Sequence, residues 1–347
     1  MSTQVDLEIR EQPDAIARTL AGARDAVAGL AGEVKHRGVE WVMIAARGTS
    51  DHAAVYATYL LAAFNGLPVA LATPSLYTWY RQSPKLGNAL VIGISQSGQS
   101  EDIVEVLAEA KRQGAVTAAV TNEPGSPLSA SVDHVLPLGA GPERAVAATK
   151  TYTSTLAVLA LLSAELEGDA ERLGWLDRLP VLVADTIERC TEPAQAAARV
   201  HAGMDRCVIL SRGFNYATAL EIALKMKELA YVTTVPYSSA DFMHGPVAIL
   251  EPGYPVLLVA PSGELAPQLA ALVPGLRARG AELIAIGNTG EVLDAAGTRL
   301  PIAPALPEWL SPLAAVVPGQ MLAAGLAVAK GWDPDHPRGL SKVTITR

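Results

Sequence analysis

The strongest constraint in this sequence is that its pattern occurs twice. "VMIAARGTSDHAAVYATYLL", from Val42, and "CVILSRGFNYATALEIALKM", from Cys207, each run from an apolar strand through Arg-Gly into a helical pattern. The two pairs, Arg47-Gly48 and Arg212-Gly213, lie 165 residues apart (47 to 212). "VIGISQSG", ending at Gly98, and "VLLVAPSG", ending at Gly263, keep that offset of 165, and "KRQGAVTAAVTN" pairs with "RARGAELIAIGN" through Gly114 and Gly280 at 166. Matched elements in one order indicate a duplication. Apolar runs of four to six residues alternate with helical patterns in both copies. That alternation predicts an α/β fold with parallel sheets, since parallel strands must be joined by crossovers and helices serve that purpose. The expected organisation is a helical segment 1–29, with its helix around Glu11 to Ala28, a first domain 30–165, a helical linker 166–195, a second domain 196–331 and a tail 332–347.

Composition narrows the partners. The formal charge of −8 and the lack of any Lys/Arg run argue against a nucleic-acid interface, which needs a clustered basic face. Cys190 and Cys207 are too few for a disulfide framework and lack metal or redox spacing, so they read as buried thiols in a reducing cytoplasm. Isolated His52, His201 and His336 give no metal-ligand spacing, and neither metal nor cofactor is expected. The N-terminus has no basic stretch followed by an apolar one, and apolar stretches such as Leu156 to Leu162 read as too short to span a bilayer.

The copies differ where function is expected. After the strand Ala89-Leu-Val-Ile-Gly93 the first copy has Ser95-Gln-Ser-Gly-Gln-Ser100, whereas the second has Ala260-Pro-Ser-Gly-Glu264. Ligands of parallel sheets bind beyond the strands' carboxyl ends, where the next helix offers free N–H groups. Ser95, Gln96, Ser97 and Ser100 there form a candidate phosphate cradle, with Glu101 and Asp102 favourable in the first helical turn. The plainer reading makes the serines turn and N-cap residues. In "RGTS", Thr49 or Ser50 supplies a further hydroxyl, or Ser50 is itself an N-cap. Neither loop has the spacing of a nucleotide motif, so the phosphate belongs to something small.

"ALEIALKMKELAY" places Glu221, Lys225 and Glu228 on one helical stripe. A solvated face with an ion pair explains that spacing; the Ala, Leu and Met around it favour burial and hence proton-transfer chemistry. "SSADFMHGP" carries His244 in a loop, and the tail carries Lys342, to which composition gives no special status.

Taken together, "RGTS", "ISQSGQS", "AVAATKTY", "ALEIALKMKE", "HGP" and "PRGLSKV" resemble the SIS (sugar isomerase) family. The likeness is to the isomerase half of glucosamine-6-phosphate synthase and to stand-alone amino-sugar-phosphate deaminases. It implies tandem flavodoxin-like domains and a hexose 6-phosphate held by Ser50, Ser95, Gln96, Ser97 and Ser100, with Val146 and Ala148 along the sugar. It further implies that Glu228 moves a proton between C1 and C2, that Glu221 belongs to the acid-base network, that His244 assists ring opening from a neighbouring subunit of a homodimer, and that Lys342 forms a Schiff base. Ala148 stands where the synthase has Ser. Residue 2 is Ser rather than a nucleophilic Cys, so no glutaminase is expected.

The leading expectation is deamination with isomerisation of glucosamine 6-phosphate to fructose 6-phosphate and ammonia. A lyase that takes the C2 proton of the N-acetylated sugar phosphate and expels its C3 hydroxyl is the second. A non-enzymatic sugar-phosphate sensor is the third, opposed by the set Glu228, His244 and Lys342.

Overall fold

The computed structural model describes residues 3–288 and 290–342; residues 1–2, Thr289 and 343–347, including the end of the expected tail, lie outside the described residues. The chain forms two compact units.

The first unit comprises residues 14–143 and 150–180 together with 341–342. Its sheet contains β1 (Trp41–Ala45), β2 (Val69–Leu71), β3 (Ala89–Ile94), β4 (Val116–Thr121) and β5 (His134–Pro137), in the order β2-β1-β3-β4-β5. Every pairing is parallel, with Val42 opposite Val69 and Leu90, and Leu90 opposite Val116. β3 and β4 are buried at every position, the pattern of parallel strands covered on both faces. The main helices of the whole chain, with α1, α7 and α8 in the second unit, are α1 (Gln4–Arg10), α2 (Gln12–Arg37), α3 (Thr49–Asn65), α4 (Glu101–Arg112), α5 (Lys150–Glu167), α6 (Ala170–Val200), α7 (Tyr216–Ala230) and α8 (Ser311–Ala329). α4 has acidic residues in its first turn and Lys111 and Arg112 in its last, as the helix dipole favours. Its apolar stripe of Ile103, Val106, Leu107 and Ala110 packs into the core with Met43, Val91 and Leu128.

The second unit comprises residues 3–13, 144–149 and 181–340. β6 (Arg206–Ser211), β7 (Thr233–Ser238), β8 (Pro255–Val259), β9 (Glu282–Gly287) and β10 (Thr298–Pro301) form an all-parallel sheet in the order β10-β9-β8-β6-β7. Read from β7, this is the first sheet's order again, the flavodoxin-like 2-1-3-4-5 arrangement. The expectation of two parallel α/β copies therefore holds at the level of strand order.

Three local expectations change. The N-terminal region contains two helices rather than one: α1 ends at Arg10, and α2 runs on to Arg37, beyond Ala28. The helix expected over 166–195 starts at Ala170, after a break at left-handed Gly168, and continues to Val200. The segment Glu308–Ala329 is long and apolar enough to cross a membrane by length and composition, contrary to the expectation that every apolar stretch is too short. Within that helix 83% of the apolar window is buried. α8 is apolar all round because it is covered by its own unit, including α7. At Gly319 the two helices approach so closely that a Cβ would stand 2.3 Å from Ile222, beside Glu221.

Candidate active site

In this strand order the connections from β1 and β3 leave in opposite directions, which opens a crevice between the loops at their carboxyl ends. "RGTS" follows β1 and "SQSGQS" follows β3. The topology thus gathers Thr49, Ser50, Ser95, Gln96, Ser97 and Ser100 at the switch point of one sheet.

Among these hydroxyls that of Ser50 is unspent on the fold, while those of Ser95, Ser97 and Ser100 bond within their own loop. Gly48, at φ 54°, occupies the cap position of α3, so Ser50 is not its N-cap, and its hydroxyl has no hydrogen-bond partner among the described residues. Ser100 has the N-cap backbone of α4, yet its hydroxyl caps nothing and lies 3.3 Å from Ser95 Oγ. The N-cap explanation therefore fails for Ser50, while Ser100 holds the N-cap position without making the side-chain capping bond. Ser95 is in part a turn residue, its Oγ accepting the Gly98 N–H at 3.1 Å, and Ser97 Oγ accepts more weakly from Gln99 N–H at 3.4 Å. Gln96 is fixed through its carbonyl, which accepts Asn122 N–H at 3.1 Å and the Thr121 hydroxyl at 3.2 Å. Asp102 does more than favour a helix start: its buried carboxylate accepts Arg47 Nε–H at 2.8 Å and ties the two loops together. Arg47 is thereby committed to a carboxylate. Uncharged hydroxyls and the first amides of α4 are left to face an anion.

The second copy shows why its loop lacks these serines. A Cβ on Gly48 would meet nothing within 4 Å, whereas on the matching Gly213 it would stand 2.5 Å from Leu265 Cδ1. Leu265 is the counterpart of Ser100 (offset 165). Beside Gly263 lies the Glu308 carboxylate, whose Oε2 accepts the Glu264 N–H at 2.6 Å. The space beside Gly48 in the first copy is filled in the second by Leu265, and at the next matched glycine the crowding neighbour is Ser126 in the first copy and the chain's own anion, Glu308, in the second.

The acid-base candidates lie in the second unit. Glu221 and Lys225 have side chains 0% and 1% exposed, which overturns the solvated-face explanation of their spacing. Lys225 Nζ is 3.4 Å from Glu221 Oε1 and 2.5 Å from Glu228 Oε2. Glu228, partly open to solvent, holds that oxygen at ion-pair distance without hydrogen-bond alignment. The start of α7 is pinned by Asn215, whose Nδ2–H donates to Ser311 Oγ at 2.6 Å at the start of α8. A carboxylate pair bridged by one buried ammonium can pass a proton without leaving an isolated charge. His244 ends a short helix, Ser239–Met243, and is exposed; no hydrogen bond or ion pair joins its ring to the α7 cluster among the described residues.

Lys342, in the first unit, places Nζ 2.7 Å from Glu143 Oε2. Glu143 is buried and also accepts from Thr151 N–H at 3.0 Å and the Thr151 hydroxyl at 2.8 Å. Val146 and Ala148 belong to the second unit, half-buried in the stretch 144–149. That stretch is held by Glu8 of α1, fully buried, whose carboxylate accepts Arg144 N–H at 2.6 Å and Ala145 N–H at 3.2 Å. Sequence reasoning missed Glu8 and Glu143. A lone acidic residue on a helix or in a loop carries no mark of burial; only its charge beside long apolar stretches could have drawn attention.

The SIS domain family matches residues 31–164 and 202–329, one match for each copy. The chain belongs to the SIS domain family. A glutamine–fructose-6-phosphate aminotransferase (isomerizing) from Pyrococcus horikoshii is 36% identical over 349 residues, covering 97% of this chain and 57% of the relative. The chain thus spans little more than half the length of that relative. Among solved structures, the C-terminal domain of glucosamine-fructose-6-phosphate aminotransferase from Francisella tularensis is 27% identical, with TM-score 0.86 over 97% of this SIS chain and 99% of that one. Glucosamine-6-phosphate deaminase from Thermotoga maritima, at 20% identity and TM-score 0.79 over 99% of this chain and 100% of that one, shares the fold.

Proposed function

We propose that this SIS protein converts glucosamine 6-phosphate and water to fructose 6-phosphate and ammonia. The observation that carries the reading is the asymmetry of the two switch-point crevices. The first has open space beside Gly48, with the Ser50 hydroxyl unpartnered among the described residues and the other serine hydroxyls bonded within their own loop, while Leu265 crowds the matching Gly213 in the second. The open crevice suits a small phosphate monoester, and the relatives named above act on sugar 6-phosphates by their names.

In this reading Ser50, Ser95, Gln96, Ser97 and Ser100 hold the phosphate, with Thr49 beside them and Val146 and Ala148 along the sugar. Glu228 carries a proton from C2 to C1 of the open-chain sugar, with Glu221 and Lys225 balancing its charge, which turns the C2 amine into an imine. The Lys342 amine adds to that imine and expels ammonia, and water then hydrolyses the lysine Schiff base at C2 to fructose 6-phosphate and free Lys342. The exposure of His244, with no bond to the α7 cluster of its own chain, supports a homodimer in which it opens the sugar ring on the partner.

Incubation of the purified protein with glucosamine 6-phosphate, and separately with its N-acetylated form, tests the reading. Ammonia and fructose 6-phosphate are expected from the first. Ultraviolet absorbance of an unsaturated product from the second would replace it with the lyase, and binding without turnover of either would leave a sensor. Glu228→Gln is expected to abolish turnover with sugar-phosphate affinity nearly intact; unchanged turnover removes Glu228 as the base.

A further inference from the structure

The chain after α8 has no regular secondary structure through Lys342, so no hydrogen-bonded ladder sets where that lysine lies. In the second unit, side chains fix the stretch 332–338 instead. The Asp335 carboxylate accepts the first amides of α1, from Gln4 at 2.7 Å and Val5 at 2.9 Å. Further on, Arg338 lies between two aromatic rings: its Cζ is 3.7 Å from the Tyr231 ring centroid and 4.6 Å from that of Trp332. The rings meet edge to face at 5.6 Å, and the Arg338 N–H donates to the Tyr231 hydroxyl at 2.8 Å.

Tyr231 is the C-cap of α7, three residues beyond Glu228, and takes the left-handed conformation at φ 53°. That backbone is unfavourable for an aromatic residue, and glycine would adopt it freely. A strained residue persists where its side chain is needed, and here the ring supplies the face on which Arg338 stacks. Guanidinium over two aromatic faces, each within cation-π range, is a directional anchor. It couples the end of the helix bearing Glu228 to a chain position four residues before Lys342.

We infer that Tyr231, Trp332 and Arg338 form a clamp that positions the lysine-bearing tail for Schiff-base formation, with Arg338 as its central positioning residue. The inference rests on the proposed role of Lys342. It goes further in assigning the placement of the stretch that leads to Lys342 to three side chains outside the proposed acid-base set.

The test uses the full chain with fructose 6-phosphate and borohydride. Condensation of the lysine amine with the ketone releases water and leaves an imine; hydride reduces it to a stable secondary amine, located by mass spectrometry at Lys342. Arg338→Ala is expected to slow trapping by about tenfold or more, as small misplacements of a reacting group do, with the sugar-phosphate dissociation constant changed by no more than about twofold. Arg338→Lys recovers part of the rate. Tyr231→Gly relieves the backbone strain, so its loss of trapping comes with little loss of stability. Trypsin cleavage after Lys342, which reads tail order without any sugar chemistry, should accelerate in Arg338→Ala and Tyr231→Gly. Trapping in Arg338→Ala within about twofold of the unmodified chain overturns the clamp's role. If the unmodified chain traps nothing, the role of Lys342 falls, and unchanged trypsin cleavage then refutes the clamp itself.

Discussion

Gly98→Ala should damage the phosphate cradle through a single methyl group. Gly98 has φ +62°, a conformation that costs a residue with a Cβ roughly 1–2 kcal/mol. The new Cβ would also stand 2.0 Å from Ser126 Oγ and 2.4 Å from Ser126 Cβ. Rotating the Ser126 hydroxyl relieves the first clash but not the second, and Ser126 is buried at the N-cap of the short helix Pro127–Ala130. Overpacking of this kind costs about 1–3 kcal/mol, so the total comes to about 2–5 kcal/mol. Urea unfolding should show that loss, and calorimetry with fructose 6-phosphate should show weakened binding, because the Gly98 amide and Ser95 Oγ move together. The double variant Gly98→Ala/Ser126→Gly separates the causes. It removes the clash and should recover about 1–3 kcal/mol, less a few tenths for the weaker cap, leaving the conformational cost behind. A loss below about 0.5 kcal/mol in the single variant, or no recovery in the double, refutes the reasoning.

Other perturbations test other parts of the site. Lys225→Met removes the cation between two carboxylates, one fully buried, and should destabilise the protein by about 3–5 kcal/mol in urea; a change under about 1 kcal/mol would mean that solvent screens the pair. Glu8→Ala leaves the Arg144 and Ala145 amides without their acceptor at a cost of about 1–3 kcal/mol, and Glu8→Gln, which keeps one oxygen, should lose less; equal losses would show that the amides find another partner. Hydrogen bonds from Arg112, then Gln113 and Ser83, hold the Glu109 carboxyl down at about 2. Its folded value lies below the ordinary 4.5, so its stabilisation is present above about 4.5 and is lost as pH falls toward about 2. Glu109→Gln should therefore be less stable than the unmodified chain at neutral pH, with urea midpoints converging at pH near 2; a pH-independent gap would refute the assignment.

Much of the candidate site was legible because its signals are local. "SQSG" after a buried strand marks a turn at a sheet's carboxyl edge, and the i, i+4, i+7 spacing of Glu221, Lys225 and Glu228 marks one helical stripe. What spacing does not carry is environment. Glu221 could have faced water until α8 covered α7, and Ser100 had the sequence of an N-cap until its hydroxyl turned toward Ser95. Asp102 reads only as a favourable first-turn acid and Glu143 carries no signal at all, yet both are buried on partners 55 and 199 residues away, Arg47 and Lys342.

The sequence alone determined the duplication, the alternation of strands and helices and the chemical difference between the two serine-bearing loops, since periodicity and repeat are properties of neighbours along the chain. Only the tertiary structure decided which crevice is open. Leu265 closes in on Gly213 in one, whereas the matching Gly48 keeps open space beside it in the other. A closed or open cleft is a matter of which side chains converge from distant segments, and no local pattern records that convergence.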